Sequence, residues 1–289
     1  MNPIYDFSAV DHAAMLGDLI RLELYRRAIE NQVKPDSVVV EVGTGSGILA
    51  AYAAHQTKNK VTAIEFAEYS AELARRMMKA AGFDHVDVVR GLSSDVTLSP
   101  EPTVLITETI GALGPEENIV EICYDFKKRH PAIQTFVPAK LRIYAEPIRS
   151  NQVVEGERNF FQSYTSASFG KFNFEAIQDD LWDIWTSRIR YRPLETSKSV
   201  GERVLLVEYV LGTTEKSNFS KEIDYSNLED VDAVHLYFEA ELDGETLLST
   251  HYADPETHWN HAFVSRPGWA KRLTVSFNNP SPTLITEWK

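Results

Sequence analysis

The run Val38-Val39-Val40-Glu41-Val42-Gly43-Thr44-Gly45-Ser46-Gly47 sets three glycines at alternate positions directly after an apolar stretch. Glycine lets a backbone turn tightly and approach a ligand to contact distance. A dinucleotide fingerprint puts its third glycine five residues after the first. Here Ile48 stands at that place and the third glycine is Gly47. An acid, Glu41, lies inside the run. Pyrophosphate has no use for such an acid, whereas a ligand with a cationic amino acid end does, directly or through water. Glu65 ends the next apolar run, 22 residues beyond Gly43, where a carboxylate can accept both hydroxyls of a ribose. Together these features fit S-adenosylmethionine, with S-adenosylhomocysteine as its product. The plain alternative is a tight turn in an α/β domain that binds no nucleotide.

A second pair of acids follows. Val104-Leu105-Ile106-Thr107 ends in Glu108, Gly111 comes next, and Glu117 stands nine residues beyond Glu108. A sulfonium donor is positive, and a guanidinium acceptor is positive and holds its proton tightly. Two unit charges about 4 Å apart repel by roughly 4 kcal/mol at an effective dielectric of about 20. Two carboxylates offset that repulsion and grip the planar cation, leaving one nitrogen aimed at the methyl. Stripping the guanidinium of its proton beforehand would cost roughly 7–9 kcal/mol at neutral pH. Localising charge on the other nitrogens is easier, and the last proton leaves as the carbon–nitrogen bond forms. Glu117 equally suits the first turn of a helix, together with Pro115 and Glu116.

The elements that must carry these residues follow from periodicity. Strands are expected at Ser37 to Val42, Val61 to Ile64, Val86 to Val89 and Val104 to Thr107, with helices at Ile48 to Ala54 and Glu68 to Ala81. Such alternation predicts a parallel, Rossmann-like doubly wound sheet, whose ligand crevice lies at the carboxyl ends of the strands. Residues 11–30 read as one amphipathic helix with Met15, Leu16, Leu19, Ile20 and Ile29 on its apolar face and Leu22 slightly off it. After Pro138 the pattern becomes antiparallel β, read at Leu141 to Ala145, Val204 to Leu211, Val234 to Leu242, Thr246 to Tyr252, Leu273 to Phe277 and Thr283 to Trp288. Asp243-Gly244 is a hairpin signal. The expected domains are therefore 1–138, an N-terminal helix with a cofactor-binding Rossmann-like domain, and 139–289, a β-barrel-like substrate domain. An aromatic-rich insertion at about 155–200, with Phe160, Phe161, Tyr164, Trp182 and Trp185, reads as a lid or an association arm.

Composition narrows the classes. The chain has 289 residues, 43% of them hydrophobic, and a formal charge of −13. That charge makes nucleic acid a poor partner and favours a cationic one, although an acidic surface also serves plain solubility. One cysteine, Cys123, forms no internal disulfide and suggests a reducing compartment, with a cytoplasmic location expected. Asp6 and Asp11 argue against a signal peptide, and no apolar run approaches the length that spans a bilayer. No metal site is expected.

These segments line up with one family: the chain resembles the protein arginine methyltransferases along nearly its whole length. The N-terminal helix looks like that family's capping helix. The resemblance implies that Arg21 binds the carboxylate of the cofactor's methionine part and that His12 and Met15 line the pocket. Glu41 with Gly43, Gly45 and Gly47 matches the first cofactor motif, Glu65 the ribose acid, and Glu108 and Glu117 the double-glutamate loop, with Gly111 in register. Ser94 stands where the family often has a glutamate near the adenine. Thr257-His258-Trp259 matches a Thr-His-Trp motif, which implies that His258 pairs with Asp18 to carry a proton away. Trp259 and Ile119 would line the acceptor pocket. The implied activity is arginine N-methylation of a protein, a peptide or a free guanidino compound, by a homodimer in which the arm docks on a second subunit. Thr109, Ile110 and Ala112 depart from the larger, more aromatic wall of the family, and Tyr5 and Phe7 abbreviate its N-terminal aromatics. A small-molecule amine methyltransferase and a non-catalytic cofactor-binding scaffold are the other classes open to this sequence.

Overall fold

In the computed structural model, which describes residues 9–167 and 178–289, the apolar run before the glycines is strand β1 (Val39–Val42), with all four side chains buried. Ahead of it, the single helix expected over 11–30 is two, α1 (Ala9–Gly17) and α2 (Leu19–Gln32). The break falls at Asp18, whose carboxylate accepts the Arg21 amide at 2.9 Å and caps α2. The expected apolar face is also corrected. Leu16, Leu19 and Ile20 are exposed, Leu19 by 73%, while Arg21, Leu22, Tyr25, Ala28 and Ile29 face inward. An ion pair holds Arg21 on the inner side, and the helix is rotated to suit it.

Beyond β1 the chain runs through α3 (Ile48–Gln56), β2 (Val61–Glu65), α4 (Glu68–Ala81), β3 (Val86–Arg90), β4 (Val104–Thr107), α5 (Ile119–Arg129) and β5 (Thr135–Val137). The five strands form a parallel sheet in the order β3-β2-β1-β4-β5. The order reverses between β1 and β4, the point at which doubly wound sheets open a crevice for ligands. Val42 is level with Ile64 on one side and with Thr107 on the other. The next residue of each strand, Gly43, Glu65 and Glu108, therefore stands in one row at the carboxyl edge, with neighbouring strands about 4.8 Å apart.

The rest of the chain is antiparallel around β6 (Lys140–Arg149), as its alternation predicts. It continues through α6 (Asn151–Ala167), α7 (Gln178–Ser187), β7 (Arg190–Tyr191), β8 (Lys198–Ser199), β9 (Val204–Val210), β10 (Phe219–Asp224), β11 (Ala233–Glu241), β12 (Leu247–Ser249), β13 (Ala262–Ser265), β14 (Arg272–Phe277) and β15 (Ile285–Trp288). One sheet has the order β7-β13-β11-β6-β8, with β12 pairing on β11 and β9 on β6. A smaller one is β10-β14-β15. The described residues of the stretch read as an insertion include most of α6 and all of α7, and Phe160 stacks on Trp185 at 4.0 Å between centroids. The chain divides into two compact units. One comprises residues up to 142 with 208–217 and 239–249, and the other comprises the remainder. No helix among the described residues is long and apolar enough to cross a membrane.

Candidate active site

The glycines of the first loop are there for backbone reasons. Gly43, Gly45 and Gly47 have φ of 73°, 53° and 86°, a region that side chains with a Cβ rarely occupy. A Cβ on Gly43 would stand 2.7 Å from the Thr109 methyl, and one on Gly47 would stand 2.9 Å from Met78 Cε. The amides of Gly43 and Thr44 both donate to the Ile64 carbonyl, at 3.0 and 3.1 Å, tying the loop to the end of β2. Glu65 accepts from the Gly45 amide at 2.8 Å and the Ala67 amide at 2.9 Å. Its carboxylate is thus fixed by backbone amides at the mouth of the loop. Glu41 points into the interior from β1 and accepts the Thr44 hydroxyl. Burial, opposed by that hydrogen bond, pushes its carboxyl up to about 8. Thr44 is a partner that sequence reasoning passed over, although it stands inside the glycine run.

Arg21 reaches Glu108 rather than remaining free. Its Nη1 donates to the Glu108 carboxylate and its Nη2 to the Met15 carbonyl at 2.7 Å. The two side chains are 5% and 9% exposed, so the pair is nearly dry. Arg21 Nε is buried and has no partner. Tyr25, fully buried beside them, donates its hydroxyl to the Thr107 carbonyl at 3.2 Å, and the Thr107 hydroxyl donates to the Val42 carbonyl at 2.9 Å. These bonds bind α2, β4 and β1 together just below the row of loop residues.

The segment from Glu108 to Glu117 turns back on itself. The Gly111 amide donates to the Gly114 carbonyl at 3.0 Å, and Pro115–Glu117 form a single 3₁₀ turn. Asn118, with φ 65°, then starts α5, whose first residue Ile119 is fully buried. Glu117 therefore belongs to a short turn, as its neighbours suggest, and is half-buried. Its carboxyl is pushed up to about 8 by burial first, then by the charges of Glu108 and Glu116. Glu108 and Glu117 accordingly sense one another across the loop. Glu116, read from sequence only as a first-turn acid, is 5% exposed and accepts the Leu113 amide at 3.1 and 3.3 Å.

The remaining candidates are more dispersed. Ser94 lies exposed on the turn after β3, its hydroxyl donated to Asp95 at 3.0 Å. Arg129 on α5 holds that turn through the carbonyls of Ser93 and Val96, at 2.9 and 2.8 Å, another contact the sequence does not announce. The side chain of His12 lies outside the described residues, as do Tyr5 and Phe7. His258 and Trp259 belong to the second unit. There Trp259 is buried edge-on against Phe238 at 5.2 Å, and the His258 ring lies 3.8 Å from it.

Comparisons with known proteins accord with this geometry. Residues 23–107 match the family model for ribosomal protein L11 methyltransferase. Protein arginine N-methyltransferase PRMT10 of Arabidopsis thaliana is 33% identical over 151 residues, 51% of this chain and 39% of that protein. An uncharacterized protein of Methanocaldococcus jannaschii, MJ1452, is 37% identical over 99 residues, 34% of this chain and 38% of its own length. A Trypanosoma brucei PRMT1 enzyme-prozyme heterotetramer with AdoHcy superposes with a TM-score of 0.74 at 20% identity, over 96% of both chains. Over about half of its length the chain is similar to protein arginine methyltransferases, and it has their fold. The aligned stretch spans only about two fifths of the length of these curated relatives.

Proposed function

We propose that the protein is an S-adenosylmethionine-dependent N-methyltransferase acting on the guanidinium of arginine, in a protein, a peptide or a free guanidino compound. The observation that carries this reading is the pair of partly buried acids, Glu108 and Glu117, on the loop beside the glycine turn at the switch point of the sheet. Residues suited to hold the cofactor surround that turn. Gly43, Gly45 and Gly47 give a cradle that a Cβ would obstruct at Gly43 and Gly47, Glu65 offers a fixed carboxylate to a ribose, and Arg21 keeps a buried donor, Nε, for a carboxylate. Met15, Glu41 and, by resemblance, His12 and Ser94 complete the set. When bound, the cofactor supplies an electrophilic methyl on a positive sulfur.

The protein's own part is electrostatic. Glu117 holds a proton at neutral pH, because burial and Glu108 both disfavour a second anion there. An arriving guanidinium reverses that balance: the proton leaves to solvent and both carboxylates accept from the cation. Each nitrogen held by a carboxylate keeps positive charge, and the free nitrogen gains nucleophilic character. His258 with Asp18 is assigned the removal of the final proton, with Trp259 and Ile119 as acceptor-pocket walls. Asp18 also caps α2, which fixes its rotamer independently of that task. A homodimer formed through the 155–200 segment, a cytoplasmic location and the absence of nucleic-acid or membrane partners complete the proposal.

The test is substitution of each acid. Glu108→Gln and Glu117→Gln should bind S-adenosylhomocysteine by calorimetry yet lose most turnover on arginine peptides or free arginine. A near-wild-type rate in either variant would sink the assigned role.

A further inference from the structure

Glu116 stands beside the acid pair with no part in the reaction just described. It is 5% exposed, and burial raises its carboxyl to about 7 against the opposing pull of amide hydrogen bonds, including those of Leu113 and Gly114. Both its oxygens accept the Leu113 amide. A Cβ on Gly111 would lie 2.5 Å from Glu116 Oε2 and 2.7 Å from Glu116 Cβ. The bare α-carbon of Gly111 is therefore the seat of this side chain. The Gly111–Gly114 hydrogen bond and the φ of 131° at Gly114 close the backbone around it. Because Glu117 is the next residue, the seat sets the direction from which its side chain emerges.

We infer that Glu116 is a positioning residue: lodged on Gly111 and holding the Leu113 amide, it fixes the turn that presents Glu117 to the acceptor. The presentation to an acceptor rests on the methylation reading, whereas the seat itself does not. The ionisable groups that sense Glu116 are Glu117 beside it, which also senses Glu108, and Tyr209 on β9. The Tyr209 hydroxyl is pushed up by burial and then by Glu121 and Glu116. Of these, Glu117 shares the acceptor, so a change in the charge of Glu116 is read most directly there.

The experiment compares Glu116→Ala and Glu116→Gln with the wild-type chain by amide hydrogen exchange at Leu113, S-adenosylhomocysteine calorimetry and steady-state kinetics on an arginine peptide. Glu116→Ala should lose Leu113 protection and raise KM at least tenfold, with S-adenosylhomocysteine affinity within twofold of wild type. Glu116→Gln retains an oxygen for the amide, so protection persists if Glu116→Ala fails to fold. Removing its negative charge should move the rising limb of kcat/KM to lower pH by half a unit or more. Wild-type kinetics and pH limb in both variants, or undiminished Leu113 protection in Glu116→Ala, would overturn the inference. If the wild type transfers methyl to no guanidino acceptor while Leu113 protection changes as stated, the methylation reading falls and the seat is supported.

Discussion

Removing Arg21 is the sharpest physical test of the site. In Arg21→Ala the Glu108 carboxylate, 9% exposed, loses the guanidinium beside it while remaining largely desolvated. Breaking a buried pair by deleting one member costs about 3–5 kcal/mol, because the survivor remains desolvated. For chains of this size that corresponds to a fall in melting temperature of about 5–8 °C. The loss should be undone in large part by a second change, Glu108→Gln, which replaces the stranded anion with a neutral side chain of similar shape. Differential scanning calorimetry of the wild type, both single variants and the double variant closes the cycle. Two results refute the reasoning: Arg21→Ala melting within 2 °C of wild type, or a double variant that loses as much as both singles combined. Either would mean that the pair is solvated in solution and that Glu108 does not depend on Arg21.

Three further outcomes are expected. Acceptor binding should displace the Glu117 proton, so kcat/KM should rise by up to about tenfold per pH unit and level off near pH 8; Glu117→Gln should abolish that limb. Glu41 and Glu117 both have folded values near 8, above those of the unfolded chain, so their penalty is absent below about pH 4.5 and complete above pH 8. Stability without ligand should therefore fall as pH rises through that window, by about 1 kcal/mol per unit or more, and Glu41→Gln should flatten the slope of melting temperature against pH. Gly43→Ala, which drives a methyl against Thr109 and strains a φ of 73°, should weaken S-adenosylhomocysteine binding at least tenfold; Thr109→Ser, which removes the obstructing methyl, should restore part of it.

Much of this architecture is legible from residue order. The alternate glycines after a run that is apolar but for Glu41 locate β1 and its loop, and the run ending in Glu108 locates β4, because buried parallel strands read as near-continuous apolar runs. Elsewhere periodicity misleads for identifiable reasons. It places Leu19 in the core and leaves Arg21 out, since a hydrophobic pattern has no means of counting an ion pair made 87 residues away. The break at Asp18 is a cap, and caps become visible only once the helix start is known. Strand β10 is absent from the reading because its Ser220-Lys221-Glu222 stretch is exposed and polar, as suits the edge of a sheet. The adjacent acids Glu116 and Glu117 cannot be told apart by type. Their separate tasks depend on the empty α-carbon of Gly111, which is a fact of space rather than of sequence.

The level ends of β1, β2 and β4 have a consequence for how such a site can change over time. Because hydrogen-bonded ladders hold Gly43, Glu65 and Glu108 in line, their mutual spacing is a property of backbone rungs and not of the intervening loops. Loop residues such as Thr109 and Ala112 can then differ in size without displacing those three positions, whereas Glu117 follows the turn seated on Gly111. A slip of one rung would displace an entire strand tip by about 3.3 Å and turn its side chains to the opposite face. The strand pairing is the ruler for these three positions, and only the loop side chains that seat no acid are replaceable fittings.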